Sequence, residues 1–426
     1  MRVHPLFLPE AEHLVPRTVS SMPSSFLRRF IRTEAFSGLA VLLAATVAVA
    51  WANIGESYAS TWATELSFGV GELYIQMDLA HLIGEVAMSA FFLLIGLEVR
   101  RELTHGHLSS ASARIAPLVA SIAGTVLPAI IYLSIAAPAQ RRGWAIPTAT
   151  DIALVIGMFA LLARRLHPGT RVMLLSIAVI DDVIGIGLLA VLSSGSMKWS
   201  PILAAAALTV LGYLAARWRG LPVPLLLVLW VALLELLHSG GIHPTLSGVL
   251  VAVVASAGPA TSSDAPSSVE RLEAALHPWV SYLVLPAFVL SHAGVGLGGA
   301  DRTAAAVAVA LIVGKPVAVF GSLWIGCRFG WLRLPSGLGV RDLAVLGALC
   351  GGGLTVSSLI ATASLSTSGP AILGVLIGTV VSLVLASLLT LLPATDTGAH
   401  AEPLGDEVTD EAAAVMMEPT ESELHN

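Results

Sequence analysis

The sequence predicts an all-α polytopic membrane protein of about twelve transmembrane helices, built as inverted-topology repeats with two broken, crossing helices and a small extramembrane β-hairpin. Three observations lead there. Hydrophobic residues make up 56% of the 426 residues and charged residues only 12%. Ordinary soluble domains carry about 25% charged residues, so this chain has too little polar material to cover a water-facing surface. Its apolar residues gather in runs of the length that crosses a bilayer core, about 20 residues in a helix. And one such run, Met173 to Leu192, holds two adjacent aspartates, Asp181 and Asp182. A carboxylate at mid-membrane depth costs roughly 2.5–3.5 kcal/mol on insertion scales. Two in succession need protein, water or a cation to hold them, which points to an ion or proton pathway.

The runs fall near 34–54, 80–99, 114–137, 144–163, 172–193 and 199–216, then near 222–238, 242–257, 276–298, 303–327, 342–364 and 368–392. The pair within 222–257 is the shortest. Residues 1–33 read as a cytoplasmic tail, 34–392 as the membrane domain, and 393–426 as a disordered acidic cytoplasmic tail. Between the first two runs, Leu66-Ser-Phe-Gly-Val-Gly-Glu-Leu-Tyr-Ile-Gln76 has the residues of a hairpin turning at Gly69-Val70-Gly71. Cys327 and Cys350 both lie in apolar segments, which argues against a disulfide or metal framework. No cleavable signal peptide is evident. With the N-terminus inside, 17 Lys and Arg fall on the cytoplasmic side, 4 outside, and Lys315 within the membrane, which orients the chain with both termini cytoplasmic.

Three further features are out of place in a membrane. Asp151 follows Trp144-Ala-Ile-Pro-Thr-Ala-Thr150, where Pro147 removes a backbone donor and Thr148 and Thr150 offer hydroxyls. That pattern suggests a helix broken at depth, with freed backbone groups facing protein or a water-filled cavity; a helix start near a surface loop is the other reading. Lys315, one of only two lysines beside 20 arginines, sits about 12 residues into its run. A desolvated lysine can lose its charge and an arginine cannot, so a cation that switches off fits here, paired with one of the two aspartates. Gly351, Gly352 and Gly353 interrupt a second helix at a cost of roughly 1 kcal/mol each relative to Ala. The two breaks occupy similar places in the three-span sets 114–193 and 303–392, the spacing of an inverted repeat with its ion site at the repeat interface.

Carboxylate, hydroxyl and carbonyl oxygens suit a hard cation, and no His/Cys cluster has transition-metal spacing. Burial disfavours a bare carboxylate charge, so a proton and Na⁺ compete for the same oxygens and alternating access turns competition into exchange. An intramembrane aspartic protease dyad of Asp151 and Asp182 leaves Lys315 and the glycines without a role. An organic-anion symporter calls for more aromatic or Arg contacts at depth.

The chain resembles the NhaA family of sodium/proton antiporters. The segments that carry the resemblance are Phe91-Phe-Leu-Leu-Ile-Gly-Leu-Glu-Val-Arg-Arg-Glu-Leu103, Gly143-Trp-Ala-Ile-Pro-Thr-Ala-Thr-Asp-Ile-Ala153 and Ala178-Val-Ile-Asp-Asp182, then Gly241-Ile-His-Pro-Thr-Leu-Ser-Gly-Val249, Arg271-Leu-Glu-Ala-Ala-Leu-His-Pro-Trp279, Gly314-Lys-Pro316 and Gly351-Gly-Gly-Leu-Thr355. Seven elements in the family's order, between about 33 and 392, are far more specific than any one alone. The resemblance implies a non-enzymatic, electrogenic exchange of cytoplasmic Na⁺ and Li⁺ for external H⁺, without cofactor or nucleic acid, in a bacterial inner membrane, serving pH homeostasis and salt tolerance. It implies that Asp182 is the principal sodium and proton carboxylate and Asp181 the partner of Lys315. Thr150 and Asp151 match the unwound segment, where Asp151 compensates the half-helix dipoles. Glu98, Arg101, Glu102, Glu273 and His243 match positions tied to the cytoplasmic funnel and pH response, and the hairpin matches a homodimer contact. The chain departs from the family in Gly353-Leu-Thr-Val-Ser357, in His292 and in Leu236-Leu-His-Ser239, which bears on pH set-point and local helix geometry.

Overall fold

Nine apolar helices of 18 or more residues and two sharply bent helix pairs dominate a computed structural model that describes residues 24–70, 73–104, 106–192, 197–258, 268–335 and 337–393. Of the tail expected at 1–33, residues 24–33 form the first turns of a helix, whereas residues 1–23, residues 71–72 and those of the expected C-terminal tail after 393 lie outside the described residues.

In chain order, α1 (Ser24–Ile54) and the short α2 (Ser57–Trp62) lead to β1 (Glu65–Val70) and β2 (Leu73–Asp78). The strands pair antiparallel from Glu65↔Asp78 to Val70↔Leu73, which confirms the hairpin. Asp78 ends it and caps the next helix, accepting from the His81 N–H at 2.7 Å. Then come α3 (Leu79–Thr104), α4 (Ala111–Ile135), a 3₁₀ segment (Pro138–Thr148), α5 (Ile152–Leu162), α6 (Pro168–Leu192), α7 (Trp199–Arg219) and α8 (Val223–Gly240). The chain continues through α9 (Leu246–Ala255), α10 (Val269–His292), α11 (Arg302–Arg328), α12 (Val340–Cys350), α13 (Thr355–Ser364) and α14 (Gly369–Leu389). Side-chain caps set several starts: Ser110 accepts from Ala113 N–H, and Asp301 from both Thr303 and Ala304 N–H.

The expected span near 242–257 is shorter than the rest. Its helix α9 has ten residues, about 15 Å at 1.5 Å per residue. With its flanking turns it still runs back along α8, since a Cβ at Gly258 would lie 4.0 Å from the Cα of Gly220. Its brevity follows from Gly241 in the left-handed region and Pro244, which use up the segment in a turn.

Each of the two three-span sets is a long helix, a broken pair and a second long helix. The breaks bend by 49° after Thr148 and by 41° after Cys350. The first helices of the sets run antiparallel: Gly124 of α4 packs on Lys315 and Val319 of α11, while Pro128 packs on Gly314. The sets therefore start at opposite ends, and the breaks meet in the middle.

Burial divides between two apolar cores. The larger surrounds the breaks, with Val155, Ile177, Leu311, Leu349 and Leu383 among its members. The smaller joins α3, α7, α8 and α9 through Leu97, Ala205, Leu229, Leu233 and Val254. Helix α3 contributes to both, and Trp230 of α8 donates to Ser89 of α3 at 2.9 Å.

Candidate functional site

The site grows from two interrupted helices. Pro147 cannot donate and already departs from helical geometry, Ala149 and Asp151 are extended, and residues 149–151 belong to no helix. Opposite, Gly351–Gly353 let the second break come into backbone contact. A Cβ at Gly353 would sit 2.3 Å from the carbonyl oxygen of Ala149, and one at Gly351 would sit 2.6 Å from that of Leu311. No other residue type fits so close an approach.

Asp151 stitches the breaks together. Its N–H donates to the Gly352 carbonyl at 2.8 Å. Its carboxylate accepts from the N–H of Leu154 at 3.2 Å and from the N–H of Thr355 at 3.0 Å. Leu154 and Thr355 are in the first turns of α5 and α13, so one carboxylate faces two positive helix ends at once. Asp151 is therefore both at a break and at a helix start, which reconciles the two sequence readings. Gly353 N–H completes the crossing with a bond to Thr379 Oγ1 at 3.3 Å.

Lys315 lies on the far side of the crossing, fully buried. Its Nζ is 2.8 Å from Asp181 Oδ2 and also donates to the Thr148 carbonyl. The hydroxyl of Thr150 lies 2.7 Å from the same Asp181 oxygen and 3.0 Å from the Cys350 carbonyl, and donates to one of them at a time. Asp181 is thus held by a cation and a hydroxyl from two other elements.

Asp182 is held by neither. It is 2% exposed, and neither of its carboxylate oxygens has a hydrogen-bond partner among the described residues. Asp181 Oδ1 and the hydroxyls of Ser357 and Ser358 are likewise buried without partners there. Asp181, Asp151, Glu98 and Lys315 are the charged groups that act on Asp182. Among the described residues no three His, Cys, Asp or Glu side chains converge as a metal-binding cluster. The oxygens on offer are two carboxylates, hydroxyls and carbonyls freed by the breaks.

Arg101, Glu102 and Glu273 gather at one end of α3. Arg101 pairs with Glu273, and its other nitrogen lies 3.8 Å from Glu102. Glu98 is one turn further in on the same helix, toward Asp182. His243 does not join them. It occupies the α8–α9 turn and bonds Thr245 Oγ1 at 2.8 Å. Its neighbour His238 pairs with Glu85, at 3.3 Å, near the opposite end of α3. The family resemblance grouped His243 with the others; the structure places it at the α8–α9 turn, beside His238. Thr379, Ser382, which donates to the Leu311 carbonyl at 3.2 Å, and the Thr148 and Cys350 carbonyls went unnoticed in the sequence. Thr379 and Ser382 had a signal, two hydroxyl residues three apart on one face of an apolar run.

Comparison with known proteins agrees with this architecture. A family model described as Na+/H+ antiporter 1 matches residues 28–390. The chain belongs to that family. A Na(+)/H(+) antiporter NhaA of Acidovorax sp. (strain JS42) is 38% identical over 369 residues, covering 82% of this chain and 88% of the relative. NhaA proteins of Cupriavidus necator (34% identical, 88% and 90% covered) and Bordetella petrii (36%, 89% and 92%) match over similar lengths. The family match spans the described membrane helices nearly end to end, both breaks included.

Proposed function

We propose that the protein exchanges cytoplasmic Na⁺, and Li⁺, for external H⁺ across a bacterial inner membrane, electrogenically and under pH control, with Asp182 as the shared site. The observation that carries the proposal is the bare, buried carboxylate of Asp182 beside the Lys315–Asp181 pair. Membership of the antiporter family supports the ion pair Na⁺ and H⁺.

A carboxylate out of water gains by neutralisation, and a proton or a small hard cation each supply it. Only one can occupy the oxygens of Asp182 at a time, so each displaces the other. Asp181 takes part through Lys315. When a cation draws the free Asp181 Oδ1 toward Asp182, the lysine loses part of its counter-charge and can release a proton. A second titrating pair of this kind allows more than one proton per Na⁺, hence net charge movement. Thr150 and the Cys350 carbonyl supply further oxygens, while Asp151 and Gly351–Gly353 hold the crossing open for them.

The Arg101–Glu273–Glu102 cluster with Glu98 lies along one approach to Asp182, the cytoplasmic funnel in this orientation, and serves as the pH-responsive entrance. His243 belongs to the opposite mouth. The hairpin serves a homodimer within the bilayer, and both termini face the cytoplasm.

The test is Na⁺-induced dissipation of a preformed ΔpH in inside-out vesicles, comparing wild type with Asp182→Asn. Dissipation that vanishes in the variant is expected. Equal activity in both would place the ion site elsewhere. Inactivity of the wild type with Na⁺ and Li⁺ across neutral and alkaline pH would overturn the exchange itself.

A further inference from the structure

The described chain ends at Pro393, on a face rich in arginine. Arg341 fixes that place: it donates to the Leu392 carbonyl at 3.3 Å and to the Arg165 carbonyl at 2.5 Å. Residues 163–171 and 328–341 hold six arginines and no Asp or Glu. The two segments pack on each other, since a Cβ at Gly169 would lie 3.0 Å from Pro335 and one at Gly337 would lie 2.8 Å from the His167 ring. Arg164, Arg165, Arg328 and Arg333 are exposed. The first carboxylate beyond them, Asp342, is buried and turned to Arg341 at 3.5 Å.

Residues 394–426 carry the opposite charge, nine Asp and Glu with no Lys or Arg. Six of the nine, Asp396, Glu402, Asp406, Glu407, Asp410 and Glu411, fall within 18 residues of Pro393. Eighteen residues of chain span at most about 60 Å, so these carboxylates are all tethered within reach of the arginines. Tethering at that range gives an effective concentration on the order of millimolar. Single exposed ion pairs are weak, but several on one tether add.

We propose that the acidic segment 396–411 docks on the arginine face of its own chain, formed by Arg164, Arg165, Arg328 and Arg333. The occupant is argued from charge and from the point where the chain emerges, beside Arg341. The first broken helix closes into Arg164 and Arg165, and the second opens at Arg341. A docked segment therefore spans the ends of both and holds them in register.

The experiment uses the full chain with Cys327→Ser, spin-labelled through Phe329→Cys beside the patch and Thr409→Cys in the acidic segment, in nanodiscs containing anionic lipid. Double electron–electron resonance is recorded at about 20 mM and about 500 mM salt, where the screening length falls from about 20 Å to about 4 Å. A narrow, short distance distribution at low salt is expected, broadening at high salt and in Arg164→Glu/Arg165→Glu/Arg333→Glu. The salt comparison stands by itself if the triple variant does not fold. A broad distribution at low salt would overturn docking and assign the arginines to lipid headgroups. A narrow distribution unmoved by salt and by charge reversal would overturn the electrostatic contact. A short distance seen only between singly labelled chains that have been mixed would move the contact to a second copy.

Discussion

Lys315 Nζ and Asp181 Oδ2 lie 2.8 Å apart with no solvent access to either side chain. Removing one partner of such a pair strands the other charge, at about 3–5 kcal/mol, whereas replacing both with apolar groups is often neutral. Lys315→Ala should therefore lower the thermal midpoint of the detergent-solubilised protein markedly, and Asp181→Leu with Lys315→Met should recover most of the loss. A double variant as unstable as the summed single ones would mean the pair is not coupled in the folded protein.

Asp151 satisfies two helix N-termini, so the identity of its side chain grades the damage. Asp151→Asn keeps one acceptor and should cost less than Asp151→Ala, which leaves two buried N–H groups unpaired at about 1–3 kcal/mol each. Thermal unfolding of the two variants checks the order, and equal midpoints would remove the capping role.

Glycines within the membrane helices and breaks differ sharply in the room around them. Gly353→Ala puts a methyl 2.3 Å from the Ala149 carbonyl oxygen, while a Cβ at Gly187 meets nothing within 4 Å. Overpacking costs about 1–3 kcal/mol or more. Gly187→Ala, within helix α6, should be neutral or stabilise by roughly 0.5–1 kcal/mol. Parallel melting curves decide this.

Tyr58, outside the spans, bonds the Leu290 carbonyl at 2.9 Å and accepts from Gly294 N–H at 3.0 Å. Burial pushes its phenol up from 10.0 to about 12, against a smaller opposing effect of the Gly294 bond. The folded state thus keeps the proton where the unfolded state releases it, and its contribution is constant below pH 10 and lost as pH rises to about 12. The stability gap between wild type and Tyr58→Phe should narrow across that window, as measured by denaturation at fixed pH values.

The sequence made the breaks legible because each carries a residue that a buried helix tolerates poorly, Pro147 in one and three glycines in the other. Asp181, Asp182 and Lys315 were legible for the same reason, as charges where apolar residues belong. What could not be read was reach. That Asp151 caps a helix starting 204 residues later depends on two segments crossing, and sequence spacing holds no trace of it. His243 shows the converse, a residue matched to one cluster by its motif and carried to the other end by the alternating direction of helices. The length of the 242–257 span failed for a local reason, a turn at Gly241 and Pro244 that hydropathy does not register.

Helix α3 is a wall common to both cores, with Phe92 and Leu94 in one and Leu93 and Leu97 in the other. It bears the Glu85–His238 pair near one end and the Arg101–Glu273 pair near the other. One helix, about 24 Å long between Glu85 and Arg101 at 1.5 Å per residue, thus borders both cores and carries an ion pair near each end.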